Sequence, residues 1–482
     1  MLIKQNLKKI NDYLWEIPRT YRSDMRVPAR VYANEKMLDQ IFRDKSLEQL
    51  VNVTTLPGIQ KYALAMPDCH EGYASPIGGV AAIKISGGII SPGMQGYDIN
   101  CGMKLLKSGL FEKETKPYLE KLASEIQEQV PSGLGRGRRV KLDIAGINEI
   151  LQKGAEKLVE QGYGVKDDLD NCEAGGRLDW ADASVVSTYA KNRGRDQVGT
   201  LGSGNHFLEI QKVEEIFNSG VAEAFGLFKD QIVVMIHCGS RGLGHQVCTD
   251  NLREFIPLME NKYKIVVPDR EFACVPFNSP EGKRALAASA AAANYAWANR
   301  QMIAYFVRKA WKSVLGSRDS DLRVLYDVAH NIIKKEKYIV DGREIEVAVH
   351  RKGATRAFPP GHSELPAVYR KVGQPVLIPG SMGTASYVLV GTEKGEESFY
   401  SVNHGAGRAM SRHAAIRAVR GEEVVRQLKE KGILVKCRSR QGIAEEAPLA
   451  YKDINQVVDI VDRAGLAKKV VRLTPLAVIK GE

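Results

Sequence analysis

Apolar residues recur along this chain in two rhythms, one suited to strands and one to helices. Gln231-Ile-Val-Val-Met-Ile predicts a strand delivering His237, and Leu322-Arg-Val-Leu-Tyr-Asp-Val-Ala one delivering His330. Ser398-Phe-Tyr-Ser-Val-Asn403 predicts a third, ending at His404, while His206 opens a fourth that continues Phe-Leu-Glu209-Ile. Val80–Ile85 is a further short strand. Helical spacing covers residues 112–130 and 145–161, a stretch around Glu35–Arg43 within an α/β entry segment (1–60), and Asp182–Asn192 within an otherwise irregular charged region. Lys283–Leu315 is the longest helical pattern, with an alanine-rich start, and reads as packing; Met410–Lys431 reads as one basic helix fit for a polyanion. Turn signals separate these elements. They include the glycine-rich run Ile77–Gly102, the loop Pro359–Glu364 and the small-residue loop Pro379–Ser386, fit to embrace a base or phosphate. Gly133–Arg139 predicts a flexible cationic loop suited to a phosphate backbone.

Composition narrows the class. The chain has 482 residues, 44% hydrophobic and 26% charged, which is that of an ordinary soluble globular protein. Its length alone allows two to four domains. A formal charge of +12 points to an anionic partner such as nucleic acid or nucleotide. Met1–Ile10 lacks the apolar core of a signal peptide, and no apolar run reaches membrane-spanning length, so a cytoplasmic protein without a membrane partner is expected. The seven cysteines are odd in number and include no C-x-x-C, which argues against a disulfide framework or a zinc ribbon. Neither a repeat nor a low-complexity linker is visible. Candidate ligands run from position 98 to 404, so one integrated α+β domain spanning 1–482 is expected.

The candidate chemistry is assembled from distant parts. Asp98 and Cys101 lie three apart, bracketed by Gly96 and Gly102, and can converge on one metal ion. His206, His237 and His330 add three imidazoles from strand ends, where rigid scaffolds present chemistry. This set suffices for two open metal sites if the sulfur bridges; zinc is favoured by affinity and manganese by availability and phosphate ligation. His404, followed by Gly405, Gly407 and Arg408, can attack phosphorus in its neutral form. The usual K-x-D-G nucleotidyl motif has only a near match, Ile339-Val-Asp341-Gly342, and no G-x-x-x-x-G-K-[ST] loop is present. Asp68, Cys69 and His70 read as structural, because three adjacent side chains diverge in any regular element. His245, His350, His362 and His413 lack the strand-end setting, although His245 lies near His237. A binuclear metallophosphoesterase and a non-catalytic RNA-binding protein are the rival readings.

Asp98-Ile-Asn-Cys101-Gly, Gly204-Asn-His206-Phe-Leu-Glu209, His237-Cys-Gly-Ser-Arg-Gly, His330-Asn331, Pro379-Gly-Ser-Met382 and Asn403-His404-Gly-Ala-Gly-Arg resemble, in order, the motifs of the RtcB family of tRNA-splicing RNA ligases. The resemblance runs essentially end to end and includes Lys480-Gly481. It implies central β-sheets surrounded by helices, with a dinuclear metal site in a central cleft. It implies two Mn²⁺ per chain, one on Asp98, Cys101 and His206, the other on Cys101, His237 and His330. His404 is then the residue that takes GMP from GTP and passes it to an RNA 3′-phosphate, giving an RNA-ppG end that a 5′-hydroxyl attacks; a 2′,3′-cyclic phosphate is hydrolysed first. The implied guanylate contacts are Asn205, His206, Phe207, Leu208, Glu209, His330, Asn331, Pro379, Gly380, Ser381, Met382, Ser386, His404, Gly405, Ala406, Gly407 and Lys480. The implied partners are RNA, as tRNA exon halves and broken ends, with an archease-type activator as a candidate and a monomer as the expected state.

Overall fold

In the computed structural model, which describes residues 2–133, 140, 142–316, 322–437 and 439–481, an α+β fold is built on two large sheets. The seven-stranded sheet runs in spatial order Lys8–Asn11, Leu14–Ile17, Ala29–Tyr32, Ile59–His70, Ile77–Lys84, Arg343–Lys352 and Asn331–Val340. Only the pair Ala29–Tyr32 with Ile59–His70 is parallel. The other sheet sets Arg323–Ala329, Gly102–Phe111, Gln231–Cys238, Phe207–Ile216, Ala467–Lys480, Ser386–Gly391 and Pro375–Ile378 side by side, all antiparallel. Leu434–Lys436 adds a parallel strand against Ala467–Lys480.

Antiparallel alternation positions the chemistry. Strands that reverse in turn put every other connection at the same end of the sheet. Ala329 pairs with Gly102, Gly102 with Cys238, Phe207 with His237, Lys480 with Phe207, and Ile378 with Tyr387. Cys101, His206, His237, His330, Lys480 and the loop after Ile378 therefore emerge at one end, however far apart they are in sequence. Gly102 marks the closest approach: a Cβ there would lie 2.4 Å from Val328 O, so a side chain would push the Cys101 strand off its neighbour. A small ladder pairs Ala354–Arg356 with Ser401–Asn403, and the Ala354 N–H donates to His330 O at 3.0 Å. The chain leaving Asn403 thus sets His404 beside His330.

The long helix spans Pro280–Leu315, opening at Ser279, whose Oγ accepts the Gly282 N–H, with proline at its first position. It begins three residues before the predicted start because the cap, rather than the alanine run, sets the boundary. Ala290–Ala293 are buried, and the helix packs with Trp297 and Trp311 into the largest hydrophobic cluster. Small side chains let neighbouring elements approach, and alanine also favours the helix.

Several predicted helices are subdivided. Residues 112–130 form Glu112–Thr115, a 3₁₀ turn Lys116–Tyr118 containing Pro117, and Leu119–Gln129. The 145–161 pattern is two helices, Ile144–Lys153 and Ala155–Glu160, hinged at Gly154. Asp182 and Ser187 cap a 3₁₀ turn, Ala183–Val185, and a helix, Thr188–Gly194, where one short helix was predicted. The basic helix expected at Met410–Lys431 is Arg412–Ala418 and Gly421–Glu430, because Val419 is extended and packs beside Val424, Leu428 and Ile443. The second piece is not uniformly basic, since Arg426 pairs with both Glu423 and Glu430. Helix Glu35–Ile41, capped by Asn34, and strand Ile77–Lys84 lie where the pattern predicts. Of the cationic loop at 133–139, all but Gly133 lies outside the described residues. No helix among the described residues is long and apolar enough to cross a membrane.

Candidate active site

Two trios of ligand-type atoms meet at the shared end of the sheet, and Cys101 belongs to both: Asp98, Cys101, His206 and Cys101, His237, His330. His206 Nε2 lies 2.9 Å from Asp98 Oδ2 and 3.3 Å from Cys101 Sγ. Cys101 Sγ is 3.2 Å from His237 Nε2, itself 3.3 Å from His330 Nε2. The loop that presents Cys101 is held locally. Asn100 takes a left-handed backbone (φ 53) and donates its N–H to Asn331 O at 2.6 Å, and Cys101 N–H returns to Asp98 O at 3.0 Å. Ser240 donates its N–H (2.9 Å) and Oγ–H (3.2 Å) to Asp98 Oδ1, leaving Oδ2 facing His206.

This donor set fits a metal pair. His237 Nδ1 lies 3.0 Å from Asn205 O. A carbonyl only accepts, so Nδ1 carries the hydrogen and the Nε2 lone pair faces Cys101 and His330. Burial, aided by nearby imidazoles, holds His237 and His330 well below the ordinary histidine range, in the neutral form that ligates. Burial, reinforced by the Asp98 charge, pushes the Cys101 thiol up to about 12. Burial works against the Asp98 carboxylate, yet the His206 hydrogen bond and charge hold it well below the usual carboxylate range. A thiol, imidazole nitrogens and a carboxylate oxygen crowded against one another are what a bound cation would relieve.

His404 stands next to this group, its ring centroid 4.9 Å from that of His330. Asp68 Oδ2 accepts from His404 Nδ1 at 2.6 Å and from the backbone N–H groups of His404 (2.9 Å) and Gly405 (3.3 Å). A carboxylate oxygen accepts, so Nδ1 carries a hydrogen and Nε2 is the ring nitrogen left for chemistry. The tightness of this seat explains Gly407: its φ is +72, and a Cβ would fall 2.1 Å from Asp68 O.

His404 borders two cavities. One, of about 250 Å³, is lined by Pro379–Met382, His404–Gly407, Phe207 and Lys480. The other, of about 600 Å³, is lined by Asp98, Cys101, His206, His330 and Asn331 together with Arg193 and Arg241. Asn205, Ile77 and Arg412 line both.

A family model described as tRNA-splicing ligase RtcB matches residues 49–481. The chain belongs to the RtcB family. It is 53% identical to the tRNA-splicing ligase RtcB of Archaeoglobus fulgidus over 478 residues, 98% of this chain and 99% of that one. It is 50% identical to the tRNA-splicing ligase RtcB of Thermococcus kodakarensis over 478 residues, again 98% and 99%. The RNA-splicing ligase RtcB of Mycobacterium tuberculosis is 50% identical over 436 residues, 90% of this chain and 100% of that one.

Within this RtcB family fold, the residues singled out in the sequence fall into three layers. Asn205, Phe207, Pro379, Gly380, Ser381, Met382, His404, Gly405, Ala406, Gly407 and Lys480 line the smaller cavity. His330 and Asn331 border the larger one. The Asn331 side chain is engaged there: Oδ1 accepts the Gly353 N–H at 2.8 Å, and Nδ2 donates to Asp98 O at 3.1 Å, splinting the Asp98 loop to the His330 segment. Glu209 and Ser386 lie behind the wall. Gln211 Nε2 donates to Glu209 Oε2 (2.6 Å) and Ser386 Oγ (3.1 Å), and Ser386 Oγ accepts the Gly380 N–H (3.2 Å). Burial pushes Glu209 up to about 8, against the opposing Gln211 amide and Lys480 charge. The Leu208 side chain is buried in the main core, on the strand face opposite Phe207. Lys480 Nζ donates to Gly204 O at 2.5 Å.

Sequence reasoning missed Asp68. The three side chains do diverge: Cys69 is buried in a core, His70 borders the smaller cavity, and Asp68 turns to His404. Divergence says nothing against one of them acting alone. The signal was an acid closing the apolar run Leu64-Ala-Met66, since a buried carboxylate must find donors.

Proposed function

We propose that this chain is a GTP- and Mn²⁺-dependent RNA ligase, one catalytic domain over 1–482, that joins RNA 3′-phosphate or 2′,3′-cyclic phosphate ends to 5′-hydroxyl ends in tRNA splicing and RNA repair. The observation that carries this reading is the position of His404, aimed by Asp68 and standing between a small-residue cavity and the paired ligand trios. Asp98, Cys101 and His206 would hold one Mn²⁺, and Cys101, His237 and His330 the other; bound there, the ions neutralise phosphate charge and align attack.

The chain's own part is to seat the guanylate and manage the proton of His404. Pro379–Met382, Gly405–Gly407 and Lys480 form the walls that receive it. His404 Nε2 attacks the α-phosphorus; the N–P bond forms, the bond to the β-phosphate oxygen breaks, and pyrophosphate leaves. Asp68 keeps the hydrogen on Nδ1 and offsets the positive charge growing on the ring. An RNA 3′-phosphate oxygen then takes the guanylate from nitrogen. The 5′-hydroxyl oxygen attacks the activated 3′-phosphorus, the bond from that phosphorus to the GMP oxygen breaks, GMP leaves, and the hydroxyl proton passes to solvent. Arg193 and Arg241 give the larger cavity the charge to receive RNA ends, while Arg412 at its rim is paired with Glu445.

Incubation with α-³²P-GTP and Mn²⁺ should label the protein through an acid-labile, alkali-stable bond that is absent in His404→Ala. Mixing 3′-phosphate RNA with 5′-hydroxyl RNA under the same conditions should yield a joined strand. Label persisting in His404→Ala would reject the nucleophile. Phosphate release without GTP would instead favour a binuclear phosphoesterase.

A further inference from the structure

Two adjacent residues midway along the helix Pro280–Leu315, Asn299 and Arg300, are fully buried and engage every side-chain polar atom. Arg300 Nη1 donates to the carbonyls of Asn100 (2.7 Å) and Cys238 (2.9 Å), Nη2 to Asn100 Oδ1 (3.1 Å) and Nε to Asp327 Oδ1 (2.9 Å). Asn100 precedes Cys101, Cys238 follows His237, and Asp327 lies three residues before His330. One guanidinium therefore joins the three segments that present Cys101, His237 and His330. Its planar fork reaches all of them at once, and Asp327 balances its charge.

Asn299 shares the Cys238 stretch with Arg300 and reaches one further segment. Its Oδ1 accepts the N–H groups of Gly199 (2.8 Å) and Thr200 (3.2 Å), at the start of the loop that leads to His206. Its Nδ2 donates to Gly239 O (3.1 Å) and Cys238 Sγ (3.3 Å). Gly239 is followed by Ser240, whose N–H and hydroxyl fix Asp98. The amide thus braces the loop that leads to His206 and the Cys238–Ser240 turn, whose Ser240 holds Asp98 Oδ1.

We infer that Asn299 and Arg300 are positioning residues that divide the labour between two metals, Arg300 setting the Cys101–His237–His330 trio and Asn299 the Asp98–Cys101–His206 trio. The inference rests on the two-metal reading above. Groups that orient metal ligands typically contribute about 10- to 100-fold in metal affinity. Cys101 is common to both trios, so each variant perturbs both sites; the division shows in which site suffers more.

Co²⁺ titration of the full-length protein, followed by thiolate-to-cobalt charge-transfer absorption, reads this without any turnover. In a His206→Ala background, where the Cys101–His237–His330 trio remains intact, Arg300→Lys should weaken Co²⁺ binding about tenfold more than Asn299→Ala does. In a His330→Ala background the order should reverse. Thermal unfolding confirms that each variant is folded. Should Arg300→Lys not fold, Asn100→Gly keeps the left-handed backbone, removes the Oδ1 acceptor, and should reproduce the Arg300 pattern. Equal losses in both backgrounds, or none, would overturn the inference while leaving the two-metal reading in place. Failure of the wild-type protein to bind Co²⁺ at Cys101 would remove that reading and this inference with it.

Discussion

Asp68→Asn isolates the contact that aims His404. The substitution keeps the volume of the side chain, so no cavity opens, and an amide oxygen can still accept one of the three N–H groups now gathered on Oδ2. What it removes is the negative charge 2.6 Å from Nδ1. A hydrogen bond to a charged partner contributes about 1.5–3 kcal/mol. At about 1.4 kcal/mol per tenfold in rate, guanylylation should slow by about 10- to 150-fold. Two unit charges about 4 Å apart in an effective dielectric of about 20 interact by about 4 kcal/mol, which caps the effect near a thousandfold. The assay is single-turnover transfer of ³²P from α-³²P-GTP to the protein at saturating Mn²⁺, with a divalent-ion titration alongside. Asp68 belongs to neither ligand trio, so metal affinity should stay within about twofold of wild type. A guanylylation rate indistinguishable from wild type, or a rate loss matched by an equal loss of metal, would refute the assignment of Asp68 as the residue that orients the nucleophile.

Gly407→Ala combines a left-handed backbone with a methyl 2.1 Å from Asp68 O, each strain costing about 1–3 kcal/mol; denaturant unfolding should show that loss, and the labelled adduct should disappear. Burial holds the Cys101 proton up to about 12, and, against the opposing effect of burial, the neighbouring thiols Cys238 and Cys101 with Asp98 hold His206 well above the ordinary histidine range, so at neutral pH filling both sites must expel a proton from each; affinity should rise with pH, and calorimetry in buffers of different ionisation enthalpy should find about two protons released. Cys101→Ser should weaken both sites, because its atom belongs to both trios; loss of only one metal would mean the sulfur is not shared.

The parts of the site that were legible in the sequence are those announced by a change of rhythm. His237, His330 and His404 each close a β-rich run and His206 opens one, so their exposure at strand ends follows from pattern alone, as does the glycine-flanked Cys101. Asp68 announced itself only as a carboxylate inside an apolar strand, and its partner lies 336 positions away. Asn299 and Arg300 were hidden more completely. They sit in a helix whose alanine-rich pattern reads as packing, and most of their partners are backbone groups, which carry no side-chain signature. The break at Val419 was likewise unreadable, because a small apolar cluster formed with the following helix overrides local helical spacing.

The meeting of these residues is a property of the sheet rather than of any one segment. An antiparallel order turns sequence distance into adjacency only if the register holds, since a slip of one residue moves a side chain about 3.3 Å and turns it to the other face. Counting residues gives the register in one of the two ladders that matter here and fails in the other. The strand Ala467–Lys480 shifts against Phe207–Ile216 between Arg472 and Leu473 and back again between Pro475 and Ala477, so the two irregularities cancel and Lys480 stands opposite Phe207 in the register set by Val471 and Ile216. The strand Arg323–Ala329 shifts against Gly102–Phe111 between Val324 and Tyr326, which brings Ala329 opposite Gly102 and leaves His330 level with Cys101. An uninterrupted ladder from the far end of Arg323–Ala329 would put Ala329 opposite Cys101 and carry the histidine away from the thiol. The bulge between Val324 and Tyr326 therefore belongs to the site as much as the residues it aligns.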